Sequence, residues 1–127
     1  MLETLKGKVA WITGAGTGIG QAAAVALAGS GARIILSGRR ISALQETADT
    51  LKSFGTEASC EVLDVSDADL VRDVAERIVS RYGRLDILVN NAGTNIAERH
   101  WEKVTPEKWN EVIDIDLNGA FYCALAV

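Results

Sequence analysis

The sequence has 127 residues, of which 48% are hydrophobic and 24% charged, with a formal net charge of −4. That is one domain of ordinary globular composition, long enough to bury roughly two thirds of its unfolded surface. No basic run exceeds Arg39-Arg40, which argues against a nucleic-acid partner, and no apolar run reaches the roughly 18 residues of a membrane span.

The elements alternate along the chain. Lys8 to Thr13 reads as a buried strand and Gly18 to Ser30 as a helix of small residues. Arg33 to Ser37 is a second strand. Ile41 to Phe54 carries Ile41, Leu44, Ala48 and Leu51 on one helical stripe, and Gly55 stops it. Glu57 to Val65 is a third strand. Ser66 is placed to cap the next helix, with Asp67 and Asp69 in its first turn and Leu70, Val74 and Ile78 on its apolar face. That helix ends near Tyr82-Gly83, and Leu85 to Val89 is a fourth strand.

Thr94 to Val104 is the least regular stretch. Thr105-Pro106-Glu107 then starts a last helix, with a capping hydroxyl, a proline at the first position and an acid beside it. Strands separated by helices imply parallel pairing with right-handed crossovers. A parallel sheet covered on both faces has strands that are apolar without clean alternation. The apolar fourth strand lacks a following strand to pair with, so the sequence reads like the front half of a larger domain.

Cys60 and Cys123 have no CxxC partner and read as reduced, packed thiols. His100 stands alone in a polar stretch, so no metal site is expected. No secretory apolar region is present, and the expected compartment is the cytoplasm.

The turn TGAGTGIG, Thr13 to Gly20, lies between the first strand and the first helix. Glycines are costly to order, so something must require their lack of side chains. A helix N-terminus presents unpaired N–H groups and about half a positive charge, which suits a pyrophosphate. Gly14 permits the turn, Gly18 lets the backbone approach phosphates, and Gly20 and the following alanines let the helix pack on the sheet. The spacing is TGxxxGxG rather than GxGxxG, because Ile19 stands where the last glycine would be. A tight βα turn alone would also account for the glycines. No lysine followed by Ser or Thr is present in the turn, which disfavours a nucleoside-triphosphate loop.

The end of the second strand should select the dinucleotide. An acid about 20 residues on would hold the ribose hydroxyl of NAD, whereas an arginine accommodates the extra phosphate of NADP. Gly38 is followed by Arg39 and Arg40, and no acid occurs from Arg33 to Gln45. A guanidinium clamps a phosphate that a carboxylate would repel, so the cofactor reads as NADP(H). Arg40 also reads as a solvated start to the next helix.

These residues resemble the short-chain dehydrogenase/reductase family. The resemblance rests on TGAGTGIG at 13–20, SGRR at 37–40, LDV at 63–65, LDILVNNAG at 85–93 and IDIDLNGAF at 113–121. It covers essentially the whole chain and the front half of a typical member. It implies one Rossmann-like domain over residues 1–127, α/β, a doubly wound parallel sheet of strand order 3-2-1-4, incomplete. By position it implies that Gly14, Ala15, Gly16, Thr17, Gly18, Ile19 and Gly20 wrap the pyrophosphate. Arg39, with Arg40 beside it, would take the NADP phosphate. Asp64 would accept from the adenine amino group, with the Val65 amide beside it, although Asp64 also reads as a turn or cap residue. Asn91, Ala92 and Gly93 would border the nicotinamide ribose, and Asn90 would tie strands together.

The family's chemistry uses Ser, Tyr and Lys, the last two as YxxxK. Tyr82 and Tyr122 have no lysine four residues on. The 127 residues would thus hold a cofactor site and turn nothing over alone. Where family members have Asn in an NLxGxF setting, this chain has Asp116, read as facing inward with Trp109, Ile113 and Ala120 and as a candidate for the proton relay. A carboxylate there would shift its own pKa and that of the expected lysine.

The function implied is hydride transfer between nicotinamide and a carbonyl or alcohol. An enoyl- or dienoyl-CoA reductase-like branch and a non-catalytic nucleotide-binding or interaction module are the alternatives. Partners implied are a small-molecule substrate and further copies of the chain. The helix face of Trp109, Ile113, Leu117, Phe121 and Leu125 would join them in dimers or tetramers.

Overall fold

The computed structural model describes residues 4–97 and 99–127, so Glu98 of the predicted irregular stretch and residues 1–3 lie outside the described residues. Strand β1 (Val9–Thr13) is central. It pairs in parallel with β2 (Arg33–Gly38) and with β4 (Ile87–Val89), and β3 (Ala58–Val62) pairs outside β2. The order β3-β2-β1-β4 is the expected 3-2-1-4.

Both faces of the sheet are covered. On one, Val9, Trp11 and Ile35 pack with Leu63, with Val71, Val74 and Ile78 of helix α3 (Ala68–Tyr82), and with Cys123 of helix α5 (Ala120–Ala126). On the other, Ala10, Ile12, Ile34 and Leu36 meet Ala24 of helix α1 (Gly18–Gly29) and Leu44, Ala48 and Leu51 of helix α2 (Ile41–Ser53). All five residues of β1 are buried, the mark of a strand covered on both sides. The Trp11 indole N–H, also buried, donates to Ser37 Oγ on β2 at 2.9 Å, so the largest core side chain leaves no orphan donor.

Side-chain hydrogen bonds cut the strands shorter than their apolar runs suggest. Strand β3 stops at Val62, and the Asp64 carboxylate then accepts from the Ser66 N–H at 3.0 Å, turning the chain toward α3. The helix cap is Asp67, not Ser66: Asp67 Oδ1 accepts from the Leu70 N–H at 3.0 Å while Ser66 Oγ donates to Asp64. In α2, Ala43 and Thr47 are buried whereas Ile41 is exposed, so the apolar face sits one position further round than expected. Of the alanines in α1 only Ala24 is fully buried. Thr105 caps helix α4 (Pro106–Val112) as expected, its Oγ1 accepting from the Lys108 N–H at 3.2 Å.

The last helix differs most. Between α4 and α5 the segment Ile113–Gly119 is π-helical. Its wider period turns Ile115 and Gly119 toward the sheet, in line with Cys123, and leaves Asp116 exposed. The inward stripe of Trp109, Ile113, Asp116 and Ala120 is therefore corrected. Gly119 allows the close approach: a Cβ there would stand 2.4 Å from Val65 Cγ2. Cys60 and Cys123 are free thiols, and burial pushes that of Cys123 up to about 11. Among the described residues no helix is long and apolar enough to cross a membrane, and no group of three His, Cys, Asp or Glu could hold a metal ion.

Asp86 pins the start of β1. Its Oδ2 accepts from the Val9 N–H at 2.8 Å, and Arg84 Nε and Nη2 grip the same carboxylate. The Arg84 guanidinium first, and the Val9 N–H second, hold the carboxyl below the ordinary carboxylate range. Its stabilising contribution is complete above the pKa of an unfolded aspartate and is lost as pH falls through the lower folded value. Asp86→Asn should flatten the acid limb of urea midpoint plotted against pH. A variant with the wild-type acid slope would show that other carboxylates set it.

Candidate cofactor site

The turn after β1 is built where side chains do not fit. Gly14 has φ +60, and a Cβ on it would lie 2.9 Å from Ala92 Cα. A Cβ on Gly16 would stand 2.7 Å from Ala43 Cβ, and one on Gly20 only 2.3 Å from the Gly14 oxygen. Gly18 differs: it has open space, and its φ of +58 is what calls for glycine.

Polar side chains lock this turn to its neighbours. Thr13 Oγ1 accepts from the N–H groups of Asn91 at 3.1 Å and Ala92 at 3.0 Å. Asn91 Nδ2 returns a hydrogen bond to the Gly14 oxygen at 3.0 Å. Thr47, buried in the middle of α2, donates Oγ1 to the Ala15 oxygen at 2.8 Å. Asn91 thus does the tying expected of Asn90, whose Nδ2 instead donates to the Ala120 oxygen at 3.1 Å and holds the last helix.

Above the turn, at the carboxyl ends of the strands, lies a cleft of about 600 Å³. Gly14, Gly16, Thr17, Gly18 and Ile19 form one wall of it. Arg39 and Arg40 enter from the end of β2, and Asp64 and Val65 from the end of β3. Asn91, Ala92 and Gly93 close the side toward β4. Two of the predicted cofactor residues are not in the wall. Ala15 is buried, with its N–H spent on the Ser37 oxygen at 3.0 Å, and Gly20 is buried under the turn. Asp116 is outside the cleft, but its Oδ1 accepts from the Thr94 N–H at 2.7 Å, next to Gly93. Thr13, Ser37 and Thr47 carry the scaffold and escaped the sequence reading. The one available signal was Thr47, a hydroxyl on the otherwise apolar face of α2.

The electrostatics of the cleft divide by strand. The first turn of α1 offers N–H groups with no acceptor inside the helix, and the Thr17 side chain makes no capping bond to them. Arg39 and Arg40 are exposed, and neither forms an ion pair within 4.0 Å among the described residues. Asp64 Oδ1 accepts from Ser66 Oγ at 2.7 Å, and Oδ2 accepts no hydrogen bond among the described residues. The Ser66 hydroxyl above all, then the Ser66 N–H and the Arg39 charge, outweigh partial burial and hold the carboxyl below its ordinary range. Asp64 is accordingly a charged acceptor at neutral pH. A dinucleotide fits this donor and acceptor set: amides and guanidinium for phosphates, a carboxylate for an amino group.

The family model for short chain dehydrogenases matches residues 8–127. The chain belongs to that family. Over 119 residues it is 38% identical to a probable 2,4-dienoyl-CoA reductase of Bacillus subtilis, covering 94% of this chain and 46% of that protein. An NAD+-bound xylitol dehydrogenase superposes with a TM-score of 0.92 at 33% identity, covering 98% of this chain and 48% of the other. A metagenomic short-chain oxidoreductase in complex with NADP gives 0.91 at 33% identity, covering 96% of this chain and 55% of the other. The chain spans about half the length of the curated relatives it matches.

Thr47→Val keeps the shape of the buried side chain and removes the donor to the Ala15 oxygen. Leaving that carbonyl short of a partner should cost about 1–3 kcal/mol, read from urea unfolding. A loss well under that range would show that the turn holds its shape without Thr47.

Proposed function

We propose that this chain is the cofactor-holding part of an NADP(H)-dependent oxidoreductase acting on a carbonyl/alcohol pair. The observation that carries the reading is the cleft, which gathers the open amides of α1, the exposed Arg39 and the charged Asp64 on three successive strand ends. Bound there, the nicotinamide cofactor would supply or accept the hydride.

The residues of the chain bind and orient. The amides of Gly18 and Ile19, at the positive end of α1, face the diphosphate. Arg39 takes the additional phosphate, with Arg40 adding positive potential. Asp64 Oδ2 accepts from the adenine amino group, and Val65 lies beside it. Asn91, Ala92 and Gly93 flank the nicotinamide ribose. In this reading the Ser, Tyr and Lys of the proton chemistry come from sequence outside residues 1–127, and these residues alone turn nothing over. Asp116 is a positioning residue: it holds the Thr94 N–H, and through it the Gly93 backbone.

Enoyl- or dienoyl-CoA reduction is the second reading, favoured by the named Bacillus relative. The exposed Leu117, Phe121 and Leu125 support association with a further copy of the chain.

Titration of the full-length protein with NADPH and NADH tests the assignment. NADPH should bind more tightly, and Arg39→Asp should cost NADPH roughly 1.5–3 kcal/mol, about tenfold or more, while improving NADH. An unchanged preference would make Arg39 a bystander.

A further inference from the structure

A second concavity, of about 280 Å³, lies between the 94–104 loop and α4. It shares no wall residue with the cofactor cleft, yet it adjoins it. Asn95 is two residues beyond Gly93, at most about 7 Å of chain, and Ile113 is two residues before Ile115. Its sides are Ile96, Val112, Ile113 and the indoles of Trp101 and Trp109. Trp101 is 85% exposed and Trp109 53%, so neither indole is used up in the core.

Among the described residues the groove has one charged side chain in its wall, Arg99. Its Nε donates to the Ile96 oxygen at 3.4 Å, and no carboxylate lies within 4.0 Å among the described residues. An apolar trough with a guanidinium in its wall is complementary to a chain that ends in an anion. Its volume is below the usual range for drug-sized ligands and far below that of the cleft, which suits a short acyl or arylalkyl body.

We propose that this groove seats the apolar body of the substrate and that Arg99 holds its carboxylate. The substrate class is an oxo or hydroxy acid whose carboxylate is separated from the reacting carbon by an apolar chain. The inference rests on the oxidoreductase reading, because it is nearness to Gly93 that makes the groove a substrate site.

In the absence of oxidised nicotinamide cofactor, octanoate and octanol are inert probes that differ in the charge of the head group. In calorimetric titrations of the full-length protein, octanoate should bind about 1.5-fold to fivefold more tightly than octanol, the range for an exposed charge pair. Arg99→Gln should bring the two to about equal affinity. Arg99 is exposed, and circular dichroism checks that the variant keeps its fold. Trp101→Ala should weaken both probes alike. Equal binding by the wild type, no binding of either probe, or a preference that survives Arg99→Gln would overturn the assignment, as would a Trp101→Ala variant with unchanged affinities. NADPH titrated into the same samples separates the two readings. NADPH binding without octanoate preference removes the groove assignment alone, and octanoate preference without NADPH binding removes the cofactor reading on which its substrate role depends.

Discussion

At Gly20 a single methyl group would stand 2.3 Å from the Gly14 oxygen, and the cleft depends on that lack of room. With no side chains at 14, 16 and 20, α1 starts directly on the end of β1. Its unpaired amides then face the space above the sheet instead of a layer of side chains. Close packing alone would leave the turn free to breathe. The hydroxyls of Thr13 and Thr47 and the amide of Asn91 remove that freedom, tying the turn to β4 on one side and α2 on the other. Three neutral side chains thus hold a site whose working groups are charged.

That division has an electrostatic reason. A charged side chain beneath the turn would be buried and would need a partner, at a desolvation cost of several kcal/mol. A hydroxyl or a carboxamide satisfies backbone groups at no such cost. The charged groups stand instead at the rim, on the ends of β2 and β3, where water solvates them until a ligand arrives. Asp64 and Arg39 also act on each other, since the guanidinium helps keep the carboxylate ionised. Each is presented in the form in which a nucleotide would meet it.

The legible part of the molecule was the part governed by pattern. The apolar runs of β1 and β2, the glycine spacing and the Thr105-Pro106 cap each follow from local rules, and the alternation of strands and helices implied the parallel sheet. What local rules miss is competition between a side chain and the backbone ladder. Asp64 ends β3 early, and Asp86 takes the Val9 N–H at the point where β4 was expected to begin pairing. Asp67 displaces Ser66 as the cap because Ser66 is already engaged by Asp64. Of the predicted cofactor residues, Ala15 and Gly20 proved to support the cleft from below. Residues of one motif look alike in sequence although Ala15 and Gly20 do not reach its surface. Thr13 stayed hidden because a hydroxyl in an apolar run gives no sign of its partner.

The last helix shows the same limit over a longer range. A stripe computed at 3.6 residues per turn put Asp116 on the inner face. The chain instead widens to a π segment between Ile113 and Gly119, and such segments are frequent at functional sites. At the end of that segment Gly119 lies against Val65. The helix presses so closely on the end of β3 that no Cβ fits, and Cys123 one turn on is wholly buried. With Ile115, Gly119 and Cys123 fixed against the sheet, the widened turn carries Asp116 outward to the 94–104 loop, where it meets the Thr94 N–H. The helix thereby contributes Ile115 to the cofactor cleft and Ile113 to the second groove. The Asp116–Thr94 hydrogen bond, made from this segment, holds the boundary between the two concavities.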